Sequence, residues 1–387
     1  MTTTYTIGEM ARKLNKSVKT LQNWDKSGVL RANRYPSNRR YYTHKQLLDV
    51  SGKEKYKKHG TDLDAVLNKV VLITGGTGSL GHAITRKICD VAKKVVIYSR
   101  CELKQANMKS KFIDKTNIRY LIGDIRDKNR LSQAMRGIDI CIHAACMKRV
   151  DTCTYNPLEA VKSNVVGSMN VLEACIENNV PKALLVSTDK ACSPATLYGG
   201  TKFVAEQIFI NGNNYSTRDC VFTITRYGNV YASNGSVKHL FEQQAKKDNI
   251  VKVTHKDMTR FFMSMDEAVS LNLFALNNTI GGEIFIPKIK ATTIMKFAET
   301  FAPGVPVQFI GLRGHEKIHE ELISSTEMLF VVDMGDYYKI IPPSVTDKSL
   351  GWDSEYPYET IVERFSYSSD SVEQFTEEEL VAFDKRE

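Results

Sequence analysis

The chain has 387 residues, 42% of them hydrophobic and 25% charged, which describes an ordinary soluble protein long enough for more than one domain. No apolar run approaches the roughly 20 residues needed to cross a bilayer, and the opening MTTTYTIGEM lacks the basic and apolar blocks of a signal peptide. Eight cysteines show no C-x-x-C and no paired ligand spacing, so buried reduced thiols, a cytoplasmic setting, no metal site and no membrane contact are expected.

The net charge of +9 is unevenly placed, because residues 1–60 hold fourteen Lys/Arg against four Asp/Glu and the remainder is nearly balanced. A basic appendage therefore precedes a neutral body. "TIGEMARKLNKSVKTLQNWDKSGVL" predicts two short helices. Thr6 and Glu9 form a capping box before the first, Ser17 caps the second, Val18 and Leu21 face inward, and Asn15-Lys16 makes the turn between them. "RYPSNRRYYT" adds turn chemistry flanked by Arg and Tyr, as in a small wing. This front end resembles the winged helix-turn-helix of the MerR group. The resemblance implies DNA as the partner of residues 1–50, with Lys19, Thr20, Gln22 and Asn23 at the major groove and Arg34, Arg39, Arg40 and Tyr41 along phosphates. The competing reading is a basic helical appendage docked on its own body or on some other partner. Residues 51–67 read as a polar linker, without the long dimerisation helix that MerR-type proteins carry there.

"KVVLITGGTGSLGHAITRKI" (69–88) predicts a buried strand, a glycine turn and a helix. Gly75, Gly78 and Gly81 fit T-G-x-x-G-x-x-G, letting the backbone approach a pyrophosphate at a helix N-terminus, with Thr77, Ser79 and Leu80 in the same turn. The next strand ends in Ser99-Arg100 where an NAD-selective site places a carboxylate, so NADP is favoured over NAD, with Lys104 following. Asp124, next to Ile125, is placed to accept from the adenine amine, and "DICIHAAC" ends in the small residues Ala144 and Ala145 beside the cofactor. Asn164 is polar on a mostly apolar helix face and reads as a bridge near the site. Strands alternating with helical stretches predict an α/β, Rossmann-type doubly wound parallel sheet.

"STDKACSPATLYGGTK" (187–202) carries the chemistry. Tyr198 and Lys202 stand one helical turn apart, so both reach a nicotinamide ribose, and the lysine and a cationic nicotinamide are expected to lower the tyrosine pKa. An alcohol oxidation needs no more than this pair and a hydroxyl. Asp189-Lys190 adds an acid and an amine. Once C4 of a sugar is a ketone, the C5 proton is acidic; a base removes it while an acid protonates the departing C6 hydroxyl. As a base Lys190 must be neutral, which burial and nearby positive charge are expected to arrange.

From about residue 68 onward, "TGGTGSLG", "YSRCELKQ", "HAACMKRVDTCTYNP", "STDKACSPATLYGGTK", "TRYGNV", "MTRFFM" and "GGEIFIPKI" resemble an extended short-chain dehydrogenase/reductase. The group resembled is the UDP-N-acetylglucosamine 4,6-dehydratases of the PseB/CapD-type polysaccharide-biosynthesis family. The resemblance implies Asp189 as acid at C6, Lys190 as base at C5, Thr188 on a sugar hydroxyl, Tyr198 on O4 and Lys202 on the ribose. Tyr at position 198 leans toward inversion at C5, and a homo-oligomer is implied. Tyr227, Gly228, Asn229 and Val230 resemble the stretch against nicotinamide and sugar; Lys148, Arg260, Arg313 and Glu316 are candidates for sugar, diphosphate and uridine contacts. Two stretches depart from the family pattern, Ala232–Ser236 and Arg313–Lys317. The expected division is 68–387 for the enzyme, with the cofactor core mainly 68–225 and the substrate part mainly 226–387. A Thr376/Glu379 capping box predicts a helix near the end. Rival readings are a UDP-sugar 4-epimerase, a C5-retaining dehydratase, and a nucleotide-sugar-sensing DNA-binding regulator.

Overall fold

The computed structural model describes residues 4–384 apart from 15, 28–29, 36, 44–45, 47–62, 217–219, 232–236, 313 and 342–365. Most of the expected linker, the Ala232–Ser236 loop and Arg313 thus lie outside the described residues.

In the basic front end, Thr6 caps the helix Ile7–Lys13 with Glu9 completing the box, and Ser17 accepts from the Thr20 N–H at the start of the helix Val18–Ser27. A strand Thr4–Thr6, which the sequence reading missed, pairs with Arg40–Thr43, and that strand in turn pairs with Asn33–Arg34 across the turn expected in the wing. Met10, Ala11, Leu14, Leu21, Leu30 and Tyr42 form a small core. Val18 is 40% exposed, correcting its expected inward position: it is the first residue of its helix, outside that core. A second correction concerns the arginines. Asp25 accepts from Arg40 Nε at 2.7 Å and from Arg34 Nη2 at 3.1 Å, so two residues expected along phosphates are tied to the preceding helix. Arg39, Lys19 and Asn23 remain exposed.

The body is built on one nine-stranded sheet. Its order is Val331–Asp333, Tyr337–Ile340, Ile284–Pro287, Val221–Thr225, Lys182–Val186, Ile140–His143, Val70–Thr74, Lys94–Ser99, Ile118–Ile122. The last seven run parallel, and Tyr337–Ile340 is antiparallel to its neighbours. Strand order reverses between Val70–Thr74 and Ile140–His143, the crevice where such sheets bind ligands. Successive residues of these apolar strands serve opposite faces, as pleating requires. Leu72, Val96, Cys141, Leu185 and Phe222 face one layer of helices, while Val71, Ile73, Val95, Ile97 and Leu184 face the other. A smaller core, with Tyr231, Phe241, Phe262, Phe297 and Phe383, lies in the later part of the chain. The capping pair Thr376/Glu379 starts the helix Glu377–Asp384 as expected. Of the thiols, six are buried, but Cys101 is exposed and Cys146 half-buried. Among the described residues no helix is long and apolar enough to cross a membrane.

The helical run from Pro157 to Glu177 contains one wide, π-type turn at Lys162–Val166. Just beyond it Ser168 meets the buried His143, whose Nε2 is 3.1 Å from Ser168 Oγ and whose Nδ1 is 2.7 Å from Thr74 Oγ1. Burial holds that imidazole neutral, pushing its pKa down to about 3.

Arg226, at the end of the strand Val221–Thr225, is the largest fully buried side chain. Its guanidinium donates to Glu206 on the helix Leu197–Tyr215 (2.6 and 3.1 Å), to Glu327 (2.8 and 3.0 Å) and to the Leu322 carbonyl. Burial pushes the Glu327 carboxyl up, but Arg226 outweighs it and holds the group below its ordinary 4.5. Glu206→Gln is expected to cost about 1–3 kcal/mol in chemical denaturation, because it removes one of the two carboxylates that pair the buried guanidinium and leaves only Glu327. Glu327 contributes stability that is present above its ordinary pKa and lost as pH falls through the lowered one. The gap between wild type and Glu327→Gln should therefore narrow on acidification below about pH 4.5.

Candidate active site

The strand Lys182–Val186 does not stop at its last residue. Ser187 N–H still donates to Thr225, and Asp189 N–H donates to the Tyr227 carbonyl at 2.9 Å, so the chain is led into a short 3-10 turn, Asp189–Ala191. The following helix, Leu197–Tyr215, is capped by Thr196 and carries Tyr198 and Lys202. Gly199 explains how close turn and helix come: a Cβ built there would stand 2.2 Å from the Lys190 carbonyl oxygen. Gly200, one residue on, has open space around its position. The helix start thus holds Tyr198 against the Asp189-Lys190 turn, bringing together four of the five residues singled out by the sequence.

Asp189 is fully buried. Its Oδ1 accepts from Thr188 Oγ1 at 2.8 Å and from Lys190 Nζ at 3.0 Å, while its Oδ2 has no hydrogen-bond partner. On its other side the Lys190 ammonium lies 3.4 Å from Glu320 Oε1. Lys190 is therefore not the neutral amine expected: burial pulls its pKa down, but Asp189 and Glu320 outweigh that and raise it. The expectation for Tyr198 is corrected too. Burial pushes its phenol well up, Cys146 and Asp189 add to this, and Thr188 opposes it. Lys202 donates to the Val186 carbonyl at 2.8 Å, and burial lowers its own pKa. Asn164 sits in the wide turn as a bridge, accepting from Met147 N–H and donating to the Met147 carbonyl and Thr201.

The glycine turn fits a dinucleotide pyrophosphate. Gly75 has φ +66° and a Cβ there would lie 2.8 Å from the Ala145 backbone, while one at Gly81 would lie 2.3 Å from the Gly76 carbonyl. Gly78 starts the helix Ser79–Ile88 without a side-chain cap, leaving Thr77, Ser79 and Leu80 at its mouth. Ser99 is held by Gln105, and Arg100 lies exposed with Nη1 3.6 Å from Asp124. Asp124 differs from expectation, because both of its oxygens accept from Arg126. Ile125 is buried, its carbonyl bonded by Asn170, and Lys104 and Lys148 are exposed. Tyr227 is buried, its phenol pushed up by burial, and Asn229 is half-buried opposite Phe262.

Arg260 is buried rather than open to a diphosphate. Its guanidinium donates to the carbonyls of Thr259, Ile318 and Lys317, with Glu316 at 3.6 Å and Glu320 at 3.8 Å. Glu320 is the site residue that the sequence reading missed. It lies three positions past Lys317, where the quoted family stretch stopped, and only tertiary contact distinguishes it from Glu321 beside it.

Residues 71–342 match the family described as Polysaccharide biosynthesis protein, and residues 5–68 match the family described as MerR HTH family regulatory protein. A UDP-N-acetylglucosamine 4,6-dehydratase (inverting) of Campylobacter jejuni is 42% identical over 80% of this chain and 95% of its own length. A UDP-glucose 4-epimerase of Rickettsia bellii is 40% identical over 71% of this chain and 83% of its own. The X-ray structure of Pen from Bacillus thuringiensis, 35% identical, superposes with TM-score 0.76 over 83% of this chain and 99% of that one.

The two neighbouring glycines make a test of the packed turn. Gly199→Ala is expected to lose about 1–3 kcal/mol in thermal or chemical unfolding, since helix or turn must shift. Gly200→Ala is expected to be neutral or to gain up to about 1 kcal/mol, as an alanine in an open helical position does.

Proposed function

The chain belongs to the polysaccharide biosynthesis protein family, and from that premise we propose that it is a UDP-N-acetylglucosamine 4,6-dehydratase that inverts C5. The observation that carries the reading is the acid-amine pair Asp189-Lys190 held by Gly199 against Tyr198. The dehydratase at 42% identity supports the same substrate. A bound nicotinamide would supply reversible hydride acceptance between C4 and C6. The chain's own residues do the rest. Tyr198 accepts the O4 proton once its phenol is ionised, Lys202 grips the ribose, and Thr188 orients a sugar hydroxyl. Lys190 takes the C5 proton, Asp189 gives a proton to the C6 oxygen, and water leaves. The exposed guanidinium of Arg100 supports NADP over NAD, as a cation suited to a 2′-phosphate. Exposed apolar side chains along Val150–Glu177 and Leu197–Tyr215, among them Tyr155, Leu158, Met169 and Phe203, support a homo-oligomer. In this reading residues 1–50 form a DNA-facing unit, 51–67 a linker and 68–387 the enzyme.

A second reading, sugar 4-epimerisation, is favoured by the Rickettsia relative named as an epimerase. Product NMR in heavy water separates the two. Incubation with UDP-N-acetylglucosamine is expected to yield a methyl signal and deuterium at C5, whereas an unlabelled C4 epimer would overturn dehydration.

For the front end, binding of the full-length protein to a mixed-sequence DNA duplex is expected to weaken as salt rises. Arg39→Ala, at an arginine without a carboxylate clamp among the described residues, should reduce the slope of log affinity against log salt by about 1. Binding that ignores both salt and this substitution would overturn the assignment.

A further inference from the structure

Glu320 stands in no sequence motif used above, yet it is buried between two cations of the site. It is 3% exposed, with Oε1 3.4 Å from Lys190 Nζ and 3.8 Å from Arg260 Nε, and its Oε2 is buried with no hydrogen-bond partner. A buried carboxylate with an unmatched oxygen is costly and is retained where something offsets it. Here the offset is electrostatic. Asp189 and Glu320 carry two negative charges, and Lys190 and Arg260 carry two positive ones, so the buried quartet is neutral. Arg260 in turn is fixed by three backbone carbonyls. The quartet is joined from three directions: the Asp189–Ala191 turn, the strand Thr259–Met263 and the segment leading into the strand Glu321–Ile323. The other charged or titratable groups facing the turn are Tyr198 from its helix, Glu316 beyond Arg260, and Lys317, whose ammonium donates to the Cys192 carbonyl.

We propose that Glu320 is a positioning residue for dehydration, holding Lys190 between two carboxylates so that one proton serves both acid and base. The proposal rests on the dehydratase reading above. At rest the proton sits on Lys190, 3.0 Å from Asp189 Oδ1. Its transfer to Asp189 breaks one N–H bond, forms one O–H bond, and leaves an amine and a carboxylic acid. The amine then takes the C5 proton and becomes an ammonium again. The acid gives its proton to the C6 oxygen, the C6–O bond breaks with its electron pair, water departs, and Asp189 is again a carboxylate. Protons and charge balance. The Glu320 carboxylate keeps the shared proton on the Lys190–Asp189 pair at rest and holds the Lys190 nitrogen in place as the C5 proton is taken. Its influence falls on proton abstraction and not on C4 oxidation, which Tyr198 handles on the neighbouring helix.

The test uses the full-length enzyme with its nicotinamide, comparing wild type, Glu320→Gln and Glu320→Asp on UDP-N-acetylglucosamine in heavy water. Two events are followed: transient reduction of the nicotinamide, which reports C4 oxidation, and the appearance of C5-deuterated methyl product. Glu320→Gln is expected to keep C4 oxidation within about threefold of wild type and to slow product formation 10- to 100-fold. Glu320→Asp, which keeps the charge at shorter reach, should recover part of that loss. The alkaline limb of the Glu320→Gln rate profile should move to lower pH by about one unit or more, because a charge that favours the Lys190 ammonium is gone. Product formation by Glu320→Gln at the wild-type rate with an unmoved profile overturns the proposal. So does parallel loss of C4 oxidation and product, which would mark a merely structural residue. If Glu320→Gln does not fold, Glu320→Asp decides: wild-type product formation overturns, and slowed product with normal C4 oxidation supports. A wild-type enzyme that gives no methyl product fails the dehydratase reading itself, a result distinct from any of these.

Discussion

Everything in the site hangs on how one buried guanidinium is shared. Arg226 ends the strand Val221–Thr225 and draws in Glu206 from the helix that carries Tyr198 and Lys202, while Glu206 also accepts from Ser187, directly before Thr188-Asp189. Its other carboxylate, Glu327, and the Leu322 carbonyl belong to the segment just after Glu320. A single cation therefore sets the spacing between the strand end, the helix and the later segment. A guanidinium suits this role because its planar fork offers five donors in fixed directions, where an ammonium offers only a point charge.

Above that clamp, the electrostatics follow from pairing, not from burial alone. Burial by itself would discharge Lys190, and the sequence reading followed that logic. Two carboxylates within 3.4 Å reverse it. Lys202, which donates to a carbonyl, keeps the lowering that burial brings. Two lysines only twelve positions apart in the sequence are thus shifted in opposite directions because of what their nitrogens touch.

That contrast also marks how far the sequence was legible. Strand–turn–helix periodicity around Gly75–Gly81 and the Tyr198/Lys202 spacing are local signals, and the parallel sheet and the helix carrying both residues follow from them. The capping boxes at Thr6 and Thr376 are equally local. What escaped depends on tertiary contact. Glu320 reaches Lys190 from 130 positions away, Asp25 takes up two arginines that looked free, and Arg126 occupies the carboxylate of Asp124. A charged residue shows its type in a sequence but not its partner, so the errors gather at ion pairs.

The wide turn at Lys162–Val166 has a consequence of its own. A π-type turn takes up one residue more than an α-turn within the same single turn, so the helix beyond it keeps nearly its phase. Deleting one residue there would restore regular winding and leave Ser168 facing His143, whereas deleting one from the regular helix between the wide turn and Ser168 would swing Ser168 by about 100° around the axis. The wide turn is thus the one place in this run where the chain can lose a residue and keep that imidazole satisfied: an aligned relative lacking the insertion would show its gap within the same turn.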